Sequence, residues 1–242
     1  YDDLAVSQHK LGDHSAAIAT MKKKEAIKPG IYETYSNLGT FYIYTGDLKE
    51  AIVWIDKALA INPNAHFGRE KYQKWLVEWV LAGKPQGVSP GPGSRFDFAV
   101  FVKKKEQPMV GYMEDARWRK SLEGVLGMMR FADFDNPLLQ EALGDILAGA
   151  PDDARLMASR AYRLASEKST DEQEKTRLFA KASVITGSSQ EVYPRDLIEH
   201  LQKNLEEGRS LNEEVRRDEI AWIAAGKDAS VEFEKKYLNP AN

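Results

Sequence analysis

The 242-residue chain contains no cysteine. Disulfide bridges, thiolate metal sites and cysteine nucleophiles are therefore excluded. No run of about eighteen apolar residues occurs, so no segment reads as a membrane-spanning helix. Charge of one sign is not in excess: 34 Lys and Arg stand against 37 Asp and Glu, net −3. That balance gives no global attraction to nucleic acid or anionic lipid. Only residues 84–112 lean basic, with five cations against two acids. Phosphate-binding glycine loops, GxSxG elbows and HExxH helices are missing. Histidine is scarce, with only His9, His14, His66 and His200. The five-residue offset of His9 and His14 does not suit one helix face, so the histidines are expected to be solvated and no metal site is expected. Carboxylates are plentiful but sit on charged helix faces, so none can be singled out for acid–base work. Asp133 and Asp135 read as an exposed turn rather than a calcium loop. Lys22-Lys23-Lys24 and Lys103-Lys104-Lys105 read as solvated faces. No cofactor is implied, and the chain reads as non-enzymatic.

What is present is a core and a repeat. Hydrophobic residues make up 43% of the chain, enough to bury an interior. The stretch YSNLGTFYIYTGDLKEAIVWIDKALAINP, residues Tyr35 to Pro63, recurs in outline 34 positions earlier. Leu38 maps to Leu4, Gly39 to Ala5, Gly46-Asp47 to Gly12-Asp13, Ala51 to Ala17 and Pro63 to Pro29. The earlier copy departs at Gln8, where the later has Tyr42, and at Lys24, where the later has Ala58. Small residues at Gly39, Ala51 and Ala58 allow two helix backbones to approach closely, with Tyr35, Leu38, Tyr42 and Trp54 filling space around them. A period of this length, built as helix–turn–helix, marks a solenoid.

Helical spacing predicts helices over Tyr1 to Leu11, Ser15 to Ala26, Glu33 to Thr45 and Leu48 to Ile61. A fifth runs from Asn64 to Ala82, capped by Asn64 and ended by Gly83, with Tyr72, Trp75, Leu76, Trp79 and Val80 as an apolar stripe. It is expected to cap the repeats; a tryptophan cage for a ligand is the alternative. Pro85 to Gly93 reads as a flexible or polyproline-like connector. Phe96 to Val102 reads as an extended segment that packs against the helices, across the concave groove as its internal occupant. Helices follow over Glu114 to Phe131, Pro137 to Leu147, Pro151 to Glu167 and Thr170 to Ile185. The last three span Pro194 to Glu207, Ser210 to Ala225 and Ala229 to Leu238, with Ser210 and Glu213 as a capping box.

The motif over Tyr35 to Pro63 closely resembles the tetratricopeptide repeat. The expected fold is all-α, an α-α superhelix of antiparallel helical hairpins with one long central loop holding a short extended segment. Three regions are expected: 1–83, two repeats and a capping helix; 84–112, the connector; 113–242, degenerate helical hairpins. The resemblance implies a scaffold that binds a protein or peptide partner on a concave groove lined by the first helix of each repeat. Carried onto this chain, the groove residues are Ser36, Asn37, Thr40 and Tyr44, with Glu33 beside them. The clamp by which some members grip a peptide carboxylate keeps Asn37 here but meets Asp2 and Val6 where it uses Lys and Asn. The alternatives are a small-ligand binder or enzyme, with a site between the repeats and the later helices using Trp75, Trp79 or Trp118, and a structural subunit of a larger assembly. Lack of cysteine and a first residue Tyr1 rather than Met tilt the expected setting towards an extracytoplasmic one, periplasmic or secreted. A cleaved signal peptide is one account of that start, and a trimmed boundary or a disordered lead is another.

Overall fold

The computed structural model describes residues 1–84, 97–106, 115–132, 134–150, 154–185 and 195–239. The connector from Pro85 to Gly93, Phe96, Asp133, the Pro151-Asp152 helix start and the loop from Gly187 to Pro194 lie outside them. The described chain is all α-helical, and it divides into two units, Tyr1–Gly187 and Ser188–Asn242.

The first unit begins with α1 (Asp2–Lys10), α2 (His14–Ile27), α3 (Tyr32–Tyr44) and α4 (Leu48–Ile61). Each hairpin turns on the same two residues. Gly12 and Gly46 sit at φ +85° and +81°, a left-handed conformation that glycine reaches without Cβ strain. The next residue then caps the following helix: Asp13 Oδ1 accepts from Ala16 N–H at 2.9 Å, and Asp47 Oδ1 from Glu50 N–H at 3.3 Å. Between α3 and α4 the backbones meet at Gly39, where a Cβ would stand 2.5 Å from Ile55 Cγ1 and 3.3 Å from Ile55 N. Ala5, Ala17, Leu38, Ala51 and Ile55 are fully buried around these contacts. Consecutive helices pack on one another, and α1 also reaches α3.

The fifth helix differs from its expected form. Asn64 does not cap it; a 3₁₀ turn, Ala65–Gly68, comes first, with His66, Phe67 and Gly68 all at positive φ. The helix α5 (Arg69–Leu81) starts only at Arg69. His66 holds the turn, its Nδ1 lying 3.0 Å from both Tyr32 Oη and Glu70 Oε1. α5 packs on α4, as a capping helix would, and on a later helix, α7 (Asp115–Phe131).

Residues 97–102 are not extended. They belong to α6 (Asp97–Lys105), which packs on α5 and on α8 (Pro137–Ala148). Phe98 and Val102, four apart, are fully buried, and Ala99 beside them nearly so, which is one face of a helix rather than of a strand. Asp97 lies in the first turn and Lys103, Lys104 and Lys105 in the last, the charge order that the helix dipole favours. The segment does bury against the helices, but no α6 residue lines the groove described below. The tryptophans near it are core groups. Trp79 is fully buried against Phe98, and Trp118 Nε1 donates to Ile146 O at 2.8 Å. The unit closes with α9 (Arg155–Lys168) and α10 (Glu172–Ile185), stacked in order on α8.

The second unit is built on α11 (Arg195–Ala224), thirty residues without a break. The expected stop near Gly208 and the Ser210–Glu213 capping box do not form. A lone glycine costs a helix about 1 kcal/mol, too little to end it where no proline follows. α12 (Ala229–Phe233) and a π-helical turn, Glu234–Leu238, return along α11, with Tyr237 Oη donating to Asp218 Oδ2 at 2.7 Å. No described side chain of this unit is buried.

Candidate functional site: a cleft between α3, α5, α7 and α8

Four helices of the first unit leave a cleft of about 350 Å³. α3 contributes Thr40, Ile43 and Tyr44, which share a face by their offsets of three and four. Leu48, the first residue of α4, continues that wall. α5 contributes Gln73, Leu76, Val77 and Val80, a stripe at helical spacing. Met128 and Phe131 come from the last turn of α7, Ala132 from just beyond it, and Leu138 and Leu139 from the start of α8. The α7–α8 corner is held by Asn136, whose Oδ1 accepts from Leu138 N–H and Leu139 N–H at 3.0 and 3.2 Å.

The polar groups of the wall are mostly engaged. Gln73 Nε2 donates to Thr40 Oγ1 at 3.1 Å, and Thr40 Oγ1 donates to Ser36 O at 3.0 Å, so α5 is tied to α3 through the groove wall. Arg69 is the one charged lining residue among those described. Its Nη2 donates to Glu70 Oε1 at 2.6 Å and its guanidinium lies 4.3 Å from the Phe131 ring centre. Burial pushes the Glu70 carboxyl up, but Arg69 and hydrogen bonds from His66 and Tyr32 outweigh it and hold it below its ordinary value. Among the described residues, no carboxylate, imidazole or lysine lines the cleft. It can desolvate apolar side chains, and a volume of this size falls in the range of ligand-binding pockets.

The residues singled out by the resemblance divide between two places. Thr40 and Tyr44 stand in the cleft wall. Ser36 is buried beneath it, and Asn37 turns towards α2, its Nδ2 3.7 Å from Met21 Sδ. The α5 and α8 walls were not legible from the repeat, because Gln73, Val80 and Leu138 lie outside it; the α5 stripe was visible as helical periodicity.

A second constellation was missed entirely. Lys181 of α10 lies 2.6 Å from Asp145 Oδ1, 3.1 Å from Glu141 Oε1 and 3.4 Å from Asp97 Oδ2, all buried. Arg177 grips Glu141 with two bonds of 2.6 and 2.8 Å, and Lys84 joins from 3.2 Å. Asp145 also accepts from Tyr162 Oη at 2.7 Å and from Phe98 N–H at 2.8 Å. Burial raises the Asp145 carboxyl to about 6 against the pull of Lys181, with Glu141 adding to the rise. Burial works against the Glu141 charge as well, but Arg177, Lys181 and Lys84 outweigh it and hold that group at about 2. These groups satisfy one another across α6, α8, α9 and α10, so the cluster reads as an internal fastening.

Residues 32–65, which span α3, α4 and the following turn, match the family model of the tetratricopeptide repeat. The chain carries a tetratricopeptide repeat. No curated protein matches the chain. The matched repeat supplies one wall of the cleft, through Thr40, Ile43, Tyr44 and Leu48. Tetratricopeptide repeats are modules of protein–protein interaction, and no described helix is long and apolar enough to cross a membrane.

Proposed function

We propose that the chain is a non-enzymatic docking module that binds a protein or peptide partner in the cleft between α3, α5, α7 and α8. The observation that carries this reading is the cleft itself, apolar and walled on one side by the tetratricopeptide repeat. The lining also sets the chemistry of the partner. The one charge among its described residues, Arg69, is already paired with Glu70, so a charged side chain entering the cleft would lose water without gaining a counter-ion. The partner is therefore a peptide segment presenting an uncharged apolar side chain, with Thr40 and Tyr44 at the rim. The near-neutral charge balance favours such a partner over nucleic acid. The position of the cleft, between the repeat and α7–α8, also suits a small apolar ligand, and the same experiment distinguishes the two.

The test is selection of peptides from a displayed random library against the full chain, followed by affinity measurement on variants. Selected peptides should share an apolar anchor. Ala132→Trp, which fills the cleft from a partly exposed position, and Tyr44→Ala should each weaken binding by at least about tenfold, or roughly 1.4 kcal/mol. Peptides that bind wild type and Ala132→Trp equally would remove the cleft from the reading. A library that yields no binder, alongside binding of apolar small molecules that Ala132→Trp abolishes, would select the small-ligand reading.

A further inference from the structure

Arg69 and Phe131 line the cleft, and they also line a second hollow of about 370 Å³. Arg69 forms the ridge between the two. Its aliphatic stem lies across Gly127, with Cδ 3.4 Å from where a Cβ would stand, and its guanidinium covers the Phe131 ring. α7 supplies the floor of the hollow through Glu123, Leu126, Gly127 and Arg130. The turn before α5 supplies the facing wall through His66 and Phe67.

Two features of this hollow point to a ligand. The first is Phe67, which is 83% exposed and held at φ +62°, between His66 at +47° and Gly68 at +76°. A left-handed backbone is unfavourable for a residue with a Cβ, and water is unfavourable for a phenyl ring. The turn sustains both because His66 is fastened to Tyr32 and Glu70. Leu126 and Phe131 are also exposed in the same hollow. The second feature is charge. Glu123 and Arg130 are exposed, and neither pairs with another described residue. They stand seven positions apart, so they share one face of α7 and lie about 10 Å apart along its axis. Arg130 adjoins Phe131, at the end nearer the cleft, and Glu123 stands at the far end.

We propose that the partner peptide crosses the Arg69 ridge in an extended conformation and continues into this hollow. The inference rests on peptide docking in the cleft, and it adds the partner's charge order. An acidic side chain beside the apolar anchor pairs with Arg130. An apolar side chain follows, packed between Phe67 and Leu126. A basic side chain stands furthest out and pairs with Glu123. An extended segment covers the distance from acid to base, about 10 Å, in about three residues. The reverse order would set like charges against one another at both ends.

Peptides selected from a displayed library on the full chain, with affinities then measured on variants, test this. Selected sequences should carry an acid between the apolar anchor and a base. Arg130→Glu should weaken their binding by at least about tenfold, and exchanging the peptide's acid for lysine should restore it. Phe67→Gly should weaken binding too, while its thermal stability stays at or above that of wild type, because glycine accepts the left-handed turn. Equal binding by wild type, Arg130→Glu and Phe67→Gly, with loss in Ala132→Trp, would overturn the hollow and leave the cleft standing. Loss in Arg130→Glu with rescue by the lysine peptide, but no loss in Ala132→Trp, would keep the hollow as a binding site and overturn the cleft.

Discussion

The two halves of the first unit solve one packing problem with opposite chemistry. Both stack helical hairpins. In α1–α4 the helices close on small side chains: Gly39 admits Ile55, and Ala5, Ala17 and Ala51 disappear from solvent. In α8–α10 a close glycine contact recurs, since a Cβ at Gly144 would meet the Tyr162 ring at 2.5 Å, but the interior beside it is ionic. Lys181 sits among Asp97, Glu141 and Asp145, and Arg177 covers Glu141 from outside. The methyl-sized contacts tolerate little added volume and carry no titratable group. An ionic interior tolerates neither loss of a partner nor a change in its protonation. The comparison teaches that hairpins of similar outline differ in what can unfasten them.

The largest expected effect is in the ionic half. Lys181→Met should cost about 3–5 kcal/mol, because it leaves buried carboxylates without their cation; denaturant unfolding measures it. Next comes the apolar half. Gly39→Val should cost about 1–3 kcal/mol by overpacking Ile55, with no dependence on pH. The two halves then separate by pH. The Asp145 carboxyl, at about 6 in the fold against an ordinary 3.8, holds its proton more tightly when folded, so stability rises as pH falls through that window. Glu141, at about 2 against 4.5, contributes stability above its ordinary value and loses it as pH falls towards 2. The Asp145 carboxyl should therefore add about 1 kcal/mol between neutral pH and about pH 5 and Glu141 subtract below it. Both are set against the stability lost at buried His9, held at about 4, as pH falls below its ordinary 6.5. Thermal unfolding of wild type beside Asp145→Asn isolates the Asp145 contribution. Asp145→Asn should remove the gain and keep the loss. The smallest effect, about 1 kcal/mol, is expected for Asp47→Ala, which deletes a helix cap in the apolar half.

That contrast also explains what was legible in the sequence. The apolar half repeats its own logic: glycine and aspartate at each turn, small residues at the crossings, and a period of 34 that carries both. Gly39 could be read as a close approach before any contact was known. The ionic half has no such local signature. Asp97, Glu141 and Lys181 stand 84 and 40 positions apart, and each acid looks like any other on a charged helix. Asp145 could be recognised only by the helices that enclose it. The reading of residues 97–102 as extended failed for a related reason. A short apolar run carries no clear period, and the acid-first, lysine-last order that identifies α6 was the signal overlooked. The single helix α11 shows the converse error, a glycine and a capping pattern given more weight than an unbroken helical context. His9 and His14 were judged on one-face spacing, whereas the hairpin joins them across its turn.

The central claim is that the partner docks in the cleft that the repeat shares with α5, α7 and α8. Hydrogen exchange on the full chain, with and without a selected peptide, tests it most directly. Added protection should concentrate at Thr40 to Tyr44 and Gln73 to Val80, and Ala132→Trp should abolish it. Protection confined to α11, or to the His66–Gly68 turn, would contradict it.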